Sequence, residues 1–166
     1  MDDSSPRIGT LNEKPLHAAL KAWYAAPGDR SEVRVDGSVV DLVRGELLIE
    51  IQTRHVSAIR SKLARLVGQH PLRLVVPIAE EKWIVRLDAD GCPGGRRKSP
   101  RHGSAADVVA ELVSIPTLLD HPHFALEVLL IREEERRRQD ARHGWRRGGW
   151  VTEERHVLAV VGQHRF

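Results

Sequence analysis

Cysteine occurs only once, at Cys92, which excludes an intramolecular disulfide and any cysteine-rich zinc site. No apolar run approaches the roughly 18 residues needed to cross a bilayer, and Met1 to Ile8 has no apolar signal core. A reducing, cytoplasmic setting without a membrane is therefore expected. Internal repeats are missing, as are low-complexity tracts beyond short arginine clusters. Neither sign of charge dominates: 26 Lys and Arg against 23 Asp and Glu leave a net charge of +3. With 41% hydrophobic and 30% charged residues, disorder is a poor fit, and 166 residues suffice for one domain and a short appendage. A mildly basic chain suits a polyanionic partner, but where the charge clusters says more than its sum.

Periodicity predicts a helix over Asn12 to Ala26, capped by Asn12, with Pro15 in the tolerant first turn and Leu16, Leu20 and Trp23 on one stripe. Three strands follow, near Glu32 to Val35, Val39 to Val43 and Glu46 to Thr53, joined by Asp36-Gly37 and a turn at Gly45. Val56, Ile59, Leu63, Leu66 and Val67 mark a second amphipathic helix, closed by Gly68 and Pro71. Leu72 to Val76 and Lys82 to Leu87 read as two strands around a turn at Pro77 to Glu81. Asp90 to Gly103, rich in Gly, Pro and Arg, reads as a mobile loop, and Ser104 with Asp107 caps a short helix reaching Ser114. Phe124 to Ile131 fits either a strand or a buried helix. Arg132 to Arg142 reads as a charged helix, and Thr152 as the cap of a last helix carrying Val157, Leu158 and Val161.

The third strand carries the chemistry. Alternation puts Leu47, Ile49 and Ile51 on one face and Leu48, Glu50 and Gln52 on the other. A carboxylate and an amide beside that much apolar surface need a partner or an ion. If Gly45-Glu46 forms a two-residue turn, Asp41 lies directly opposite Glu50 with Cβ atoms ~4.5–5.5 Å apart. With Arg44-Gly45 as the turn, Asp41 faces Leu48 and meets Glu50 diagonally at ~7–8 Å. Either way two carboxylates share a face, as a hard cation such as magnesium requires when phosphate and water complete its shell. Gln52 is placed to orient water or phosphate, and Glu13 sits at the edge of the first helix's stripe. The plainer readings are a polar edge or salt bridges to Arg34, Arg44 or Arg54, and for Glu13 a favourable charge at a helix N-terminus.

The pattern Val40-Asp41, eight residues, then Glu50-Ile51-Gln52, behind one helix and ahead of a basic one, resembles the PD-(D/E)XK nuclease superfamily. The resemblance covers about residues 10 to 88. It implies an α/β, restriction-endonuclease-like α-β-β-β-α-β core and Mg2+ (or Mn2+) held by Asp41, Glu50 and the carbonyl of Ile51. Two positions depart from the motif: Val40 stands for its proline and Gln52 for its lysine, which removes a cation from the site. Ile8 to Tyr24 and Leu48 to Thr53 also resemble a group of prokaryotic proteins without an assigned role.

Candidate phosphate contacts are Arg60, Lys62 and Arg65 on the second helix, Arg96, Arg97, Lys98 and Arg101 in the loop, and Arg146 and Arg147 between Trp145 and Trp150. The expected organisation is a nuclease-like core over 10–90, a basic loop over 91–103 and a basic, mainly helical appendage over 104–166. The expected activity is metal-dependent DNA endonuclease, with DNA as partner and a homodimer as an option. The alternatives are an inactive nuclease-fold module that binds nucleic acid, or a structural protein docking a partner through Arg132 to Arg142.

Overall fold

A computed structural model describes residues 14–140 and 149–166. The elements are α1 (Pro15–Tyr24), β1 (Arg30–Val35), β2 (Ser38–Arg44), β3 (Leu47–Ile51), a 3₁₀ turn (Val56–Ile59) running into α2 (Arg60–Val67), β4 (Leu72–Leu87), β5 (Pro93–Lys98), a second 3₁₀ turn (Ala105–Val108) running into α3 (Val109–Leu112), α4 (Pro116–Leu119), β6 (Phe124–Gln139) and β7 (Trp150–Arg165). The predicted cap Asn12 lies outside the described residues.

All strands join one mixed, seven-stranded sheet in the order β1-β2-β3-β4-β6-β7, with β5 on the far part of β4. β1, β2 and β3 form an antiparallel meander, whereas β4 runs parallel to both β3 and β6. Apolar side chains alternate between two layers. Leu48, Leu74, Val76 and Val128 pack with Leu63, Leu66 and Val67 of α2, while Ile49, Ile51, Val75 and Leu129 pack with Leu16, Leu20 and Tyr24 of α1. α1 thus covers one face of the sheet, and α2 covers the other together with Val108, Ile115 and Leu118 from the later short helical turns. The buried stripe of α1 ends on Tyr24, and the predicted Trp23 is 50% exposed. Tyr24 wins because its hydroxyl reaches the fully buried Glu127 at 2.8 Å.

The chain is of the α/β class, but the predicted helical appendage is absent. Arg132 to Gln139 continues β6, and the segment expected as the last helix is β7, each strand 16 residues long. Charged residues alternate here as apolar ones do elsewhere: Glu133 and Glu135 are buried while their strand neighbours are more open. Their charge is met from neighbouring strands by Lys82 and Arg155, and along β6 by Arg137. The turn expected at Pro77 is also missing, and β4 passes through it. Val75 turns its carbonyl to Gln52 on the β3 side, so Pro77, two residues on, faces that side too. β3 pairing ends at Val75, and there Pro77 has no neighbour needing its missing N–H. Part of the predicted mobile loop is β5, hydrogen-bonded antiparallel to β4. Among the described residues no helix is long and apolar enough to cross a membrane.

Candidate active site

β2 and β3 meet in the first of the two expected registers. Arg44 pairs with Leu47 and Leu42 with Ile49, so Gly45-Glu46 is the turn and Asp41 falls opposite Glu50. Gly45 takes φ 58°, the left-handed conformation needed by the first residue of such a turn. The regular pleat of β2 breaks at Asp41. Val40 belongs to the α2 layer and Leu42 to the α1 layer although they are two apart, and Glu32, which falls opposite Asp41, has φ 53°. The break turns the Asp41 carboxylate toward the end of β3, where its Oδ2 accepts the Ile51 N–H at 2.8 Å and faces His17 Nε2 of α1 at 3.2 Å.

Glu50 is 5% exposed and projects toward α2, where Lys62 Nζ donates to its Oε1. Its other oxygen, Oε2, is buried with no hydrogen-bond donor among the described residues. Desolvation and the charge of the nearby Asp41 carboxylate push the Glu50 carboxyl up to about 7, against the partial relief given by Lys62 and by the Asp41 backbone N–H. Burial opposes ionisation of Asp41 as well, but hydrogen bonding and charge from His17 outweigh it, so its pKa is lowered. The pair is therefore asymmetric: Asp41 holds the negative charge and Glu50 binds the proton more tightly.

The other expected residues are dispersed. Gln52 does not face the carboxylates with its amide; Nε2 donates to the carbonyls of Arg54 at 2.5 Å and His55 at 3.3 Å, closing the turn in which His55 takes φ 55°. Arg60 is exposed at the start of α2, and Arg65 donates to Ser38. The cluster 96–98 splits across β5. Arg96 pairs with Glu134 and Lys98 with Glu81, both over the ring of Trp83, while Arg97 points from the opposite face. Arg101 lines a separate cleft. Glu13, Arg146 and Arg147 lie outside the described residues. Trp150 packs under the guanidinium of Arg86, 4.8 Å from its ring centre.

Two members of the site were missed. His17 stands four residues after Glu13 in the sequence, a spacing that on the predicted helix over Asn12 to Ala26 would put the two on one face and could have drawn attention to it. Lys62 was placed on a basic helix face, yet it is the cation beside Glu50. Among the described residues no three His, Cys, Asp or Glu side chains converge as a ready-made metal set. Asp41 and Glu50 offer carboxylate oxygens and Ile51 its carbonyl, the donor type a hard cation takes, and Glu50 Oε2 has no hydrogen-bond donor among the described residues.

A protein of Treponema pallidum (strain Nichols), titled uncharacterized, is 34% identical over 128 residues, covering 76% of this chain and 51% of that protein. The chain thus spans about half the length of that relative. No solved structure matches it. A family model described as "Domain of unknown function (DUF8091)" matches residues 14–166, and the chain belongs to that family.

Proposed function

We propose that the chain is a metal-dependent phosphodiester hydrolase acting on DNA. One observation carries the reading: Asp41 and Glu50 stand at opposite register positions where β2 and β3 part, near enough for the charge of Asp41 to act on Glu50, while one buried oxygen of Glu50 lacks a donor and an ammonium group sits on the other. Asp41 and Glu50 would hold Mg2+ or Mn2+, with the Ile51 carbonyl as the third oxygen. Such an ion supplies an acidified water and offsets charge on the phosphate. His17 keeps Asp41 ionised and oriented. Lys62 provides the cation that the Gln52 position lacks: its Nζ sits against Glu50 and can shift to a non-bridging phosphate oxygen as negative charge builds there.

Calorimetric titration with Mn2+ tests the holding residues. Wild type should bind one ion, and Asp41→Asn and Glu50→Gln should each lose it; retention by both variants would remove the basis of the reading. A second reading, a nuclease-like module that binds nucleic acid without cleaving it, is favoured by the commitment of the Gln52 amide to main-chain carbonyls. DNA binding without cleavage by a metal-loaded wild type would select it.

A further inference from the structure

Beyond the carboxylate pair lies a cleft of about 550 Å3 that the nuclease-like motif does not touch. It opens beside the segment after β3, between the bend of β4, the return loop 99–103 and the start of α3. Arg54, Lys82, Arg101, Arg137 and Arg155 all line it. Three of these cations are held from behind by two buried carboxylates. Glu133 takes Arg155 Nη2 at 2.6 Å and Lys82 at 2.9 Å, while Glu135 takes Lys82 at 2.9 Å and Arg137 Nε at 2.8 Å. Arg155 also reaches the Thr53 carbonyl at 3.5 Å, tying β7 to the end of β3.

The other two, Arg54 and Arg101, have no ion-pair partner among the described residues. Desolvation and the charges of Arg155 and Arg137 lower the Arg54 pKa, against partial compensation by Glu135 and Glu133. Three acids share the lining. Glu133 is offset by Lys82 and Arg155, although its Oε1 accepts no hydrogen bond among the described residues. The other two each accept a backbone N–H: Glu111 from Val56 at 2.9 Å and Asp107 from Ser104 at 2.8 Å. Arg101 is brought in by a tight return at Gly103, whose N–H meets the Ala79 carbonyl at 3.0 Å. A Cβ at 103 would lie 2.5 Å from that oxygen, so only glycine lets the loop close this far. Unmatched guanidinium groups beside pre-oriented ones form the donor arrangement that phosphate oxygens match.

We propose that this cleft is a phosphate-group site, with Arg54 and Arg101 as its direct ligands and Arg137 and Arg155 as its oriented wall. Arg54 is four residues beyond Glu50 in the chain, so the natural occupant is a backbone phosphate of a nucleic-acid strand whose neighbouring linkage lies at Asp41 and Glu50. That choice of occupant rests on the phosphodiester reading; the anion site itself does not.

The test uses the full chain carrying Glu50→Gln, without divalent ions, so that binding is read apart from cleavage. A fluorescein-labelled single-stranded 20-mer is titrated by anisotropy at several salt concentrations, and pyrophosphate by calorimetry. Replacing two phosphate ligands should reduce the log–log salt slope by about 1.4 and weaken oligonucleotide binding about 25-fold at 0.1 M relative to 1 M salt. Arg54→Gln with Arg101→Gln should show this loss. Arg132→Gln, a paired cation on the opposite face of β6, should not. Loss of pyrophosphate binding alone would keep the site and assign it to free phosphates. Unchanged binding of both probes, or an equal loss with Arg132→Gln, would overturn it. Cleavage by wild type is measured separately: an intact cleft with no cleavage would sink the hydrolase and leave the site standing, and the converse result would do the reverse.

Discussion

Replacing Glu50 by Gln should stabilise the metal-free protein increasingly as pH rises above about 4.5, with the full effect above about pH 7. The Glu50 carboxyl moves from 4.5 to about 7 on folding because burial and Asp41 both resist its charge. Below about pH 4.5 it is protonated in the folded and unfolded chains alike and contributes no pH dependence. As pH rises toward 7 the unfolded chain releases its proton first, so stability falls, reaching a full loss of about 3 kcal/mol above pH 7. Gln removes that loss while keeping the side chain's shape and an oxygen for Lys62. At pH 8.5 the variant should therefore melt higher by up to ~3 kcal/mol, or about 6–12 °C for a domain of this size, and the gap should close by pH 4.5. Thermal melts followed by circular dichroism in EDTA across that range read it directly. Saturating Mn2+ should narrow the gap from the other side, since an ion at 100 times its Kd adds about 2.7 kcal/mol to wild type alone. A variant that melts at or below wild type at pH 8.5, or a gap independent of pH, would refute the claim that Glu50 is held in an anion-hostile site.

Lys62→Met should slow cleavage about 100- to 1,000-fold with little change in Mn2+ affinity, whereas Gln52→Ala should cost turnover far less; single-turnover rates separate them. Gly103→Ala should destabilise the chain by about 1–3 kcal/mol in urea unfolding, because the added methyl group strikes the Ala79 carbonyl and Ile78. Tyr24→Phe should cost ~1–2 kcal/mol by removing a donor from the fully buried Glu127, although Arg73 and Arg165 still pair with it. A neutral Tyr24→Phe would show that those arginines suffice.

What the sequence made legible was local. Asp36-Gly37 specifies one tight turn by its own backbone chemistry, and Gly45 marks a second that could close in two registers, of which the structure takes Gly45-Glu46 and so decides which residues of β2 and β3 stand opposite. The alternation of Leu47 to Ile51 shows in the sequence because its two faces meet apolar layers. β6 and β7 were hidden for the opposite reason. The buried positions of β6 include Glu133 and Glu135, whose cationic partners are Lys82 of β4, Arg155 of β7 and Arg137 two residues along β6, so its period of two was written in charged residues and read as a helix. β7 has no fully buried position to show such a period. Lys62 could be placed on a helix face from its neighbours, but its meeting with Glu50 depends on how α2 crosses the sheet. Gln52 looked available because nothing local announces that the turn after it would take its amide.

Cleavage under single-turnover conditions, with excess protein, Mn2+ and a panel of single-stranded, duplex and branched DNA, tests the central claim most directly. Wild type should cut at least one of these substrates in a divalent-dependent reaction, and Glu50→Gln, equally folded by circular dichroism, should be slowed by at least 100-fold on it. Failure of wild type on every substrate despite Mn2+ binding, or a Glu50→Gln rate equal to that of wild type, would contradict it.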